Sequence, residues 1–159
     1  MSEENLPNIS INAQYVKDLS FENLAIPGTV KIDGPPSIDL SLDINVTKLS
    51  EDNYFEVALN INSKAVFNET TLFIAELSYA GIFHLANIPE DQLKPVLSIH
   101  CAAMIFPYAR KIISDVTQDG GFQPLMMDPI DFARLYYKRL ADEENSSNID
   151  TGGLSSKDN

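Results

Sequence analysis

From Ile38 to Val46 the chain alternates without a break. Ile38, Leu40, Leu42, Ile44 and Val46 are apolar, and Asp39, Ser41, Asp43 and Asn45 between them are polar. Successive side chains of an extended chain point to opposite faces, so this period of two predicts a strand with one buried and one solvated side. The pattern repeats after a polar turn at Lys48 to Asn53, with Phe55, Val57, Leu59, Ile61 and Ala65 set against Glu56, Asn60, Asn62 and Lys64. A further strand is predicted over roughly Thr70 to Tyr79, where Phe73, Ala75, Leu77 and Tyr79 alternate with Leu72, Ile74, Glu76 and Ser78. An earlier one places Ile9, Ile11, Ala13 and Tyr15 on one face. The turns between the last three strands are short, which predicts an antiparallel meander. A long connection with turn residues at Pro27-Gly28 and Asp33-Gly34-Pro35-Pro36 leads from the first strand, which completes a four-stranded sheet. One face of that sheet is apolar along its length and must be covered.

After Gly81 the pattern reads as helical. Pro89-Glu90-Asp91 starts a helix with acidic residues at its positive end. Pro95 and Pro107 predict a kinked or two-part helix up to Asp119, where Gly120-Gly121 stops it. Ile112, Ile113 and Val116 give that helix an apolar side. Asp128-Pro129 opens a last helix, running to about Asp142. The predicted fold class is therefore α+β: a four-stranded antiparallel sheet covered on one face by C-terminal helices. Residues 1–8 read as a flexible N-terminus, 9–142 as a single domain, and 143–159 as a polar, acidic, disordered tail.

Charge narrows the partners. The formal net charge is −12, from 23 acidic and 11 basic residues. Such a field repels phosphate backbones and anionic lipid, so neither nucleic acid nor direct membrane insertion is expected. No apolar segment approaches a membrane span, and the opening MSEENLPNIS lacks the basic-then-apolar run of a signal peptide. The single cysteine, Cys101, allows no internal disulfide and suits a reducing, cytoplasmic setting.

No catalytic constellation emerges. His100 and Cys101 are adjacent, but zinc needs three or four convergent ligands, and the only other histidine, His84, has no partner at ligand spacing. There is no phosphate-binding Gly-rich loop followed by Lys-Ser or Lys-Thr. No cofactor, metal or catalytic residue is expected, and the chain does not read as an enzyme. What stands out is a surplus of apolar side chains, notably Leu72, Ile74, Phe122, Met126, Met127, Tyr136 and Tyr137. Methionine and aromatic groups together make an adaptable binding surface, or a large subunit interface.

Several segments resemble the SecB family of bacterial protein-export chaperones. They are Lys17-Asp18-Leu19-Ser20-Phe21-Glu22, Gly81-Ile82-Phe83, Ile105-Phe106-Pro107-Tyr108-Ala109-Arg110, Pro124-Leu125 and Asp128-Pro129-Ile130-Asp131-Phe132. The resemblance covers about residues 9 to 142 in matching order. It implies a homotetramer, a dimer of dimers, that binds unfolded precursor proteins in apolar grooves without ATP and delivers them to the SecA export ATPase. It also implies that Asp18, Glu22, Ile74 and Glu76 form the acidic SecA-docking surface. Phe73, Ala75, Leu77 and Tyr79 would map to the strand face associated with client binding and tetramer assembly. The aromatic part of the groove would lie between Ile32–Pro36 and the last helix, at Phe132 and Tyr136. Gly34 stands where family members often carry tryptophan, and this chain has none. The competing reading is an oligomeric structural or adaptor protein with no client.

Overall fold

The computed structural model describes residues 5–26 and 28–152. Four strands, β1 (Asn8–Asn23), β2 (Ser37–Lys48), β3 (Tyr54–Phe67) and β4 (Thr70–Ala86), form one antiparallel sheet in the order β1-β4-β3-β2. The meander of β2, β3 and β4 and the late-arriving β1 are as the alternation predicts. Asn53, Asn68 and Glu69 take positive φ in the two tight turns, a region that asparagine tolerates better than most residues. Of the Pro27-Gly28 turn, Pro27 lies outside the described residues, and Gly28 has φ 88°.

Two strands are longer than their sequence pattern suggests. β1 runs on past Tyr15 to Asn23, but its register with β4 shifts between Ile11 and Ala13 and again between Val16 and Asp18. Each shift inserts one unpaired residue, a β-bulge, which reverses the in–out alternation. Ala13 and Tyr15 are consequently not on the face of Ile9 and Ile11; they point to the opposite, outer side. The second bulge, at Lys17, restores the phase for Leu19 and Phe21. β4 likewise continues through Gly81 to Ala86 instead of turning helical. Gly81 is no strand end, because a Cβ there would stand 2.9 Å from the Phe83 ring and 3.1 Å from Ile105 Cγ2. It is the point of close approach between sheet and helix.

The helices begin with α1 (Glu90–Pro95), pass through a π-helical turn (Val96–Cys101) and continue as α2 (Ala102–Asp119). The π turn is marked by the Ala102 N–H, which donates to the carbonyl five residues back, at Leu97. Pro95 and Pro107 therefore do not split the element; one continuous helix spans Glu90–Asp119. Among the described residues it is one helix with the length and apolar composition of a membrane span, contrary to the sequence expectation. Leu97, Cys101, Ala102, Ile105, Phe106, Ala109 and Ile113 are buried along it, the pattern of a core helix. Gly121, at φ 93°, ends α2, and the Phe122 N–H closes back on the Thr117 carbonyl at 3.1 Å.

The last helix, α3 (Phe132–Gly152), starts later and ends later than the sequence suggests. Its cap is Asp131 rather than Asp128: Asp131 Oδ1 accepts the Arg134 N–H at 3.1 Å. Residues 143–152 of the expected tail are helical, while 1–4 and 153–159 lie outside the described residues.

The core sits between the sheet and α2. Phe55, Val57, Leu59, Ile61 and Ala65 from β3 meet Phe73, Ala75, Leu77, Tyr79, Phe83 and Leu85 from β4 beneath the buried side of the helix. Thr117 is fully buried yet satisfied. Its hydroxyl donates to the Ile113 carbonyl at 2.9 Å and accepts the Leu125 N–H at 2.9 Å, which ties the α2–α3 linker to the core.

Candidate functional site

The outer face of the sheet collects the predicted acidic residues. Glu22 lies directly across from Ile74, Ser20 from Glu76, and Asp18 from Ser78. Directly opposed residues on one face stand in side-chain contact range, so Asp18, Glu22, Ile74 and Glu76 form one patch on two neighbouring strands. The three carboxylates are exposed and Ile74 is half-buried. None of the ion pairs among the described residues involves them. The one side-chain hydrogen bond to the patch is long, from Ser20 Oγ to Glu76 Oε2 at 3.5 Å. The carboxylates therefore stand unpaired around an apolar centre, with the exposed Lys64 of β3 directly across from Ile74 on the same face.

Next to it, the first bulge creates a group that no local pattern announces. With Tyr15 turned outward, its hydroxyl donates to Glu56 Oε2, while Lys17 Nζ donates to Glu56 Oε1 at 2.7 Å. These bonds hold the Glu56 carboxyl below the usual carboxylate range, with the Lys17 hydrogen bond the largest cause and the Tyr15 hydrogen bond next. Burial, followed by the Glu56 hydrogen bond, pushes the Tyr15 hydroxyl up to about 12. Glu56 is thus held by Tyr15 and Lys17, whereas Asp18, Glu22 and Glu76 are in no ion pair among the described residues.

On the helix side, Phe73, Ala75, Leu77 and Tyr79 are all buried within the protomer. Tyr79 is at the margin: its ring stacks on Tyr108 at 6.4 Å, and its hydroxyl donates to Gln14 Oε1 at 3.1 Å. Around it Val16, Leu19, Met104 and Tyr108 are exposed apolar groups. This is an uncovered apolar margin along β1 and α2.

Two clefts flank the other edge. The larger, about 760 Å³, lies between the Ile32–Pro36 connection and the Gly121–Leu125 linker, with Leu72 and Phe73 as its floor. A three-ring cluster holds the linker in place, Phe73 lying 5.6 Å from Phe21 and 5.0 Å from Phe122. Gly34 lines this cleft, and a Cβ there would meet only the Phe67 ring at 3.7 Å. The smaller cleft, about 240 Å³, is lined by Ile44, Leu135, Tyr136 and Arg139 among others. The expected apposition of Ile32–Pro36 with Phe132 and Tyr136 is not found. Ile32–Pro36 share their cleft with the Gly121–Leu125 linker instead. Phe132 is buried against Phe106 at 5.6 Å, and Tyr136 belongs to the second cleft.

The remaining candidates carry no chemistry. Cys101 is fully buried, and burial pushes its thiol up to about 12, so it is inert as a nucleophile. His100 is exposed on the helix. No group of three or more His, Cys, Asp or Glu side chains could hold a metal among the described residues.

The model of a family described as preprotein translocase subunit SecB matches residues 2–143. The chain belongs to the SecB family. Protein-export protein SecB of Rickettsia akari is 56% identical over 145 residues, covering 91% of this chain and 95% of the relative. That of Rickettsia conorii is 55% identical over the same length, with the same coverage. Among solved structures, a SecB-like chaperone of Mycobacterium tuberculosis, in complex with a peptide from an antitoxin, superposes with a TM-score of 0.65. It is 16% identical and covers 77% of this chain and 90% of its own, a likeness of fold. Membership makes the protein a protein-export chaperone of a non-enzymatic family.

Proposed function

We propose that this SecB acts as a cytoplasmic homotetramer that holds unfolded precursor proteins in its apolar clefts and passes them to SecA through the Asp18–Glu22–Ile74–Glu76 patch. The observation that carries this reading is the division of labour across one sheet. Unpaired carboxylates stand exposed on the outer side, and apolar surface is left uncovered on the helix side. Exposed apolar groups in clefts bind extended apolar segments with little sequence preference. The margin formed by Val16, Leu19, Met104 and Tyr108 is the surface best suited to subunit contact. A carboxylate patch centred on an apolar residue suits a basic surface on the motor, and repetition by symmetry multiplies a contact that is weak in one copy.

The test has two arms. Sedimentation at micromolar concentration should give a species near four times the 17.6 kDa chain. A reduced, unfolded polypeptide should bind that species equally with and without ATP. A tetramer that binds no unfolded polypeptide would leave the adaptor reading in place. A stable monomer would remove the assembly on which the patch argument depends.

A further inference from the structure

The exposed edge of β2 carries a second layer of information. Leu49 N–H donates to the Tyr54 carbonyl at 2.9 Å, which makes that position a hydrogen-bonded pair of the β2–β3 ladder. The register from Lys48↔Phe55 to Ser37↔Val66 is unbroken. Hydrogen-bonded and non-bonded pairs alternate in an antiparallel ladder, so Asn45 and Asp43 bond to β3. Val46, Ile44, Leu42, Leu40 and Ile38 turn their backbone groups to the open edge. These are the same residues whose side chains face the helix side. Ile38 lines the larger cleft and Ile44 the smaller. Between them, Arg139 Nη2 of α3 donates to the Leu42 carbonyl at 2.5 Å and to Asp43 Oδ1 at 3.0 Å.

We propose that Arg139 is a guard on the β2 edge: it occupies the central free carbonyl of a strand-addition site and must swing aside before one extended client segment can pair with β2 and reach both clefts. This rests on the client-binding reading above. The row from Ile38 to Val46 extends about 27 Å at roughly 3.4 Å per residue, so a segment of about nine residues fills it. Ile38, Leu40 and Val46 are 39%, 40% and 38% exposed, whereas Leu42 and Ile44, beside Arg139, are half-buried. Leu42 and Ile44 are also packed against the core, so what Arg139 covers in the middle of the row is the backbone, at the Leu42 carbonyl. Charge decides the occupant. Asp39 and Asp43 point to the other face of β2, and a second copy pairing edge to edge would bring like carboxylates together, which is unfavourable. A neutral or basic segment meets no such penalty.

The probe is a synthetic extended peptide of alternating valine and lysine, about nine residues long, titrated against the full-length protein. Arg139→Met keeps the apolar stem and removes the donors. It should bind the peptide about 3- to 10-fold tighter, the worth of one backbone hydrogen bond regained. Arg139→Lys should remain near wild type. A peptide N-methylated at alternate residues, unable to donate to β2, should show no gain. Asp43→Ala, which removes the guard's second anchor, should give a smaller gain in the same direction and serves if the methionine variant does not fold. Wild-type binding with no gain in either variant overturns the guard, as does a gain that survives N-methylation. Growth of Arg139→Met into larger particles without peptide would make a second copy the occupant and also overturn it. Absence of peptide binding by wild type and all variants overturns the client reading and the guard with it.

Discussion

The two faces of this sheet are built from alternate residues of the same strands, yet they obey different constraints. Leu59, Ile61 and Phe83 on the helix side are fully buried, so volume and shape are fixed there. Asn62 and Glu76 on the outer side are exposed, so little in the fold fixes their identity, and charge is free to serve recognition. A residue can be indispensable to the molecule on one side and to its partners on the other, one position away. The sharpest test of that division is a pair of neighbours. Leu59→Ala should cost about 2–5 kcal/mol, because the transfer loss is compounded by a cavity that the packed helix cannot fill. Asn60→Ala beside it should stay within about 0.5 kcal/mol. Chemical denaturation of both variants at one protein concentration checks this, and similar values would break the comparison.

Legibility follows the same line. β2 and β3 are readable because their register is unbroken and each contributes one side to the core. β1 defeats a period-two reading after Ile11 because two bulges invert the phase and then restore it. Gly81 reads as punctuation when its real cause is the Phe83 ring and Ile105 pressing on the backbone, and a local window cannot contain a packing partner twenty-odd positions away. The acidic patch was legible through family resemblance, not composition. Tyr15–Glu56 and Arg139–Leu42 were not legible at all, since their partners are separated by 41 and 97 positions. Only the folded register brings them together.

Glu56 is the exception on the outer face, a polar residue there with structural weight. Its side chain is 16% exposed and binds both Tyr15 and Lys17. Glu56→Gln should cost about 1–2 kcal/mol at neutral pH, below the usual value for a charged hydrogen bond because Lys17 is 44% exposed and screened. The carboxyl is held low in the fold, so its contribution is present above the ordinary carboxylate range and disappears as pH falls through the folded value. Wild type and variant should therefore converge in strong acid. Tyr15 acts oppositely: its raised hydroxyl favours the fold below the ordinary tyrosine range, and that advantage is lost as pH rises towards about 12. A Glu56→Gln difference independent of pH would show that the carboxylate is not what the pair depends on.

The smallest stability effect belongs to the patch itself. Glu76 is exposed, makes only the 3.5 Å contact to Ser20 and forms no ion pair among those described. Glu76→Lys should change the unfolding free energy by less than about 0.5 kcal/mol. Its effect on docking is a separate quantity. A single solvated pair is worth about 0.2–1 kcal/mol and weakens with salt. Under the proposed docking, reversing the charge would replace an attraction by a repulsion beside Ile74, and the proposed tetramer would repeat that change in every copy. SecA binding should therefore fall by more than one pair accounts for, most strongly at low salt, while binding of an unfolded client stays at the wild-type level. Titrating the variant against each partner at two salt concentrations separates the outcomes. If the motor still binds normally, the acidic face is solvated charge and nothing more. If both partners are lost together, the two faces are not independent, and the division between a side that folds and a side that recognises does not hold for this sheet.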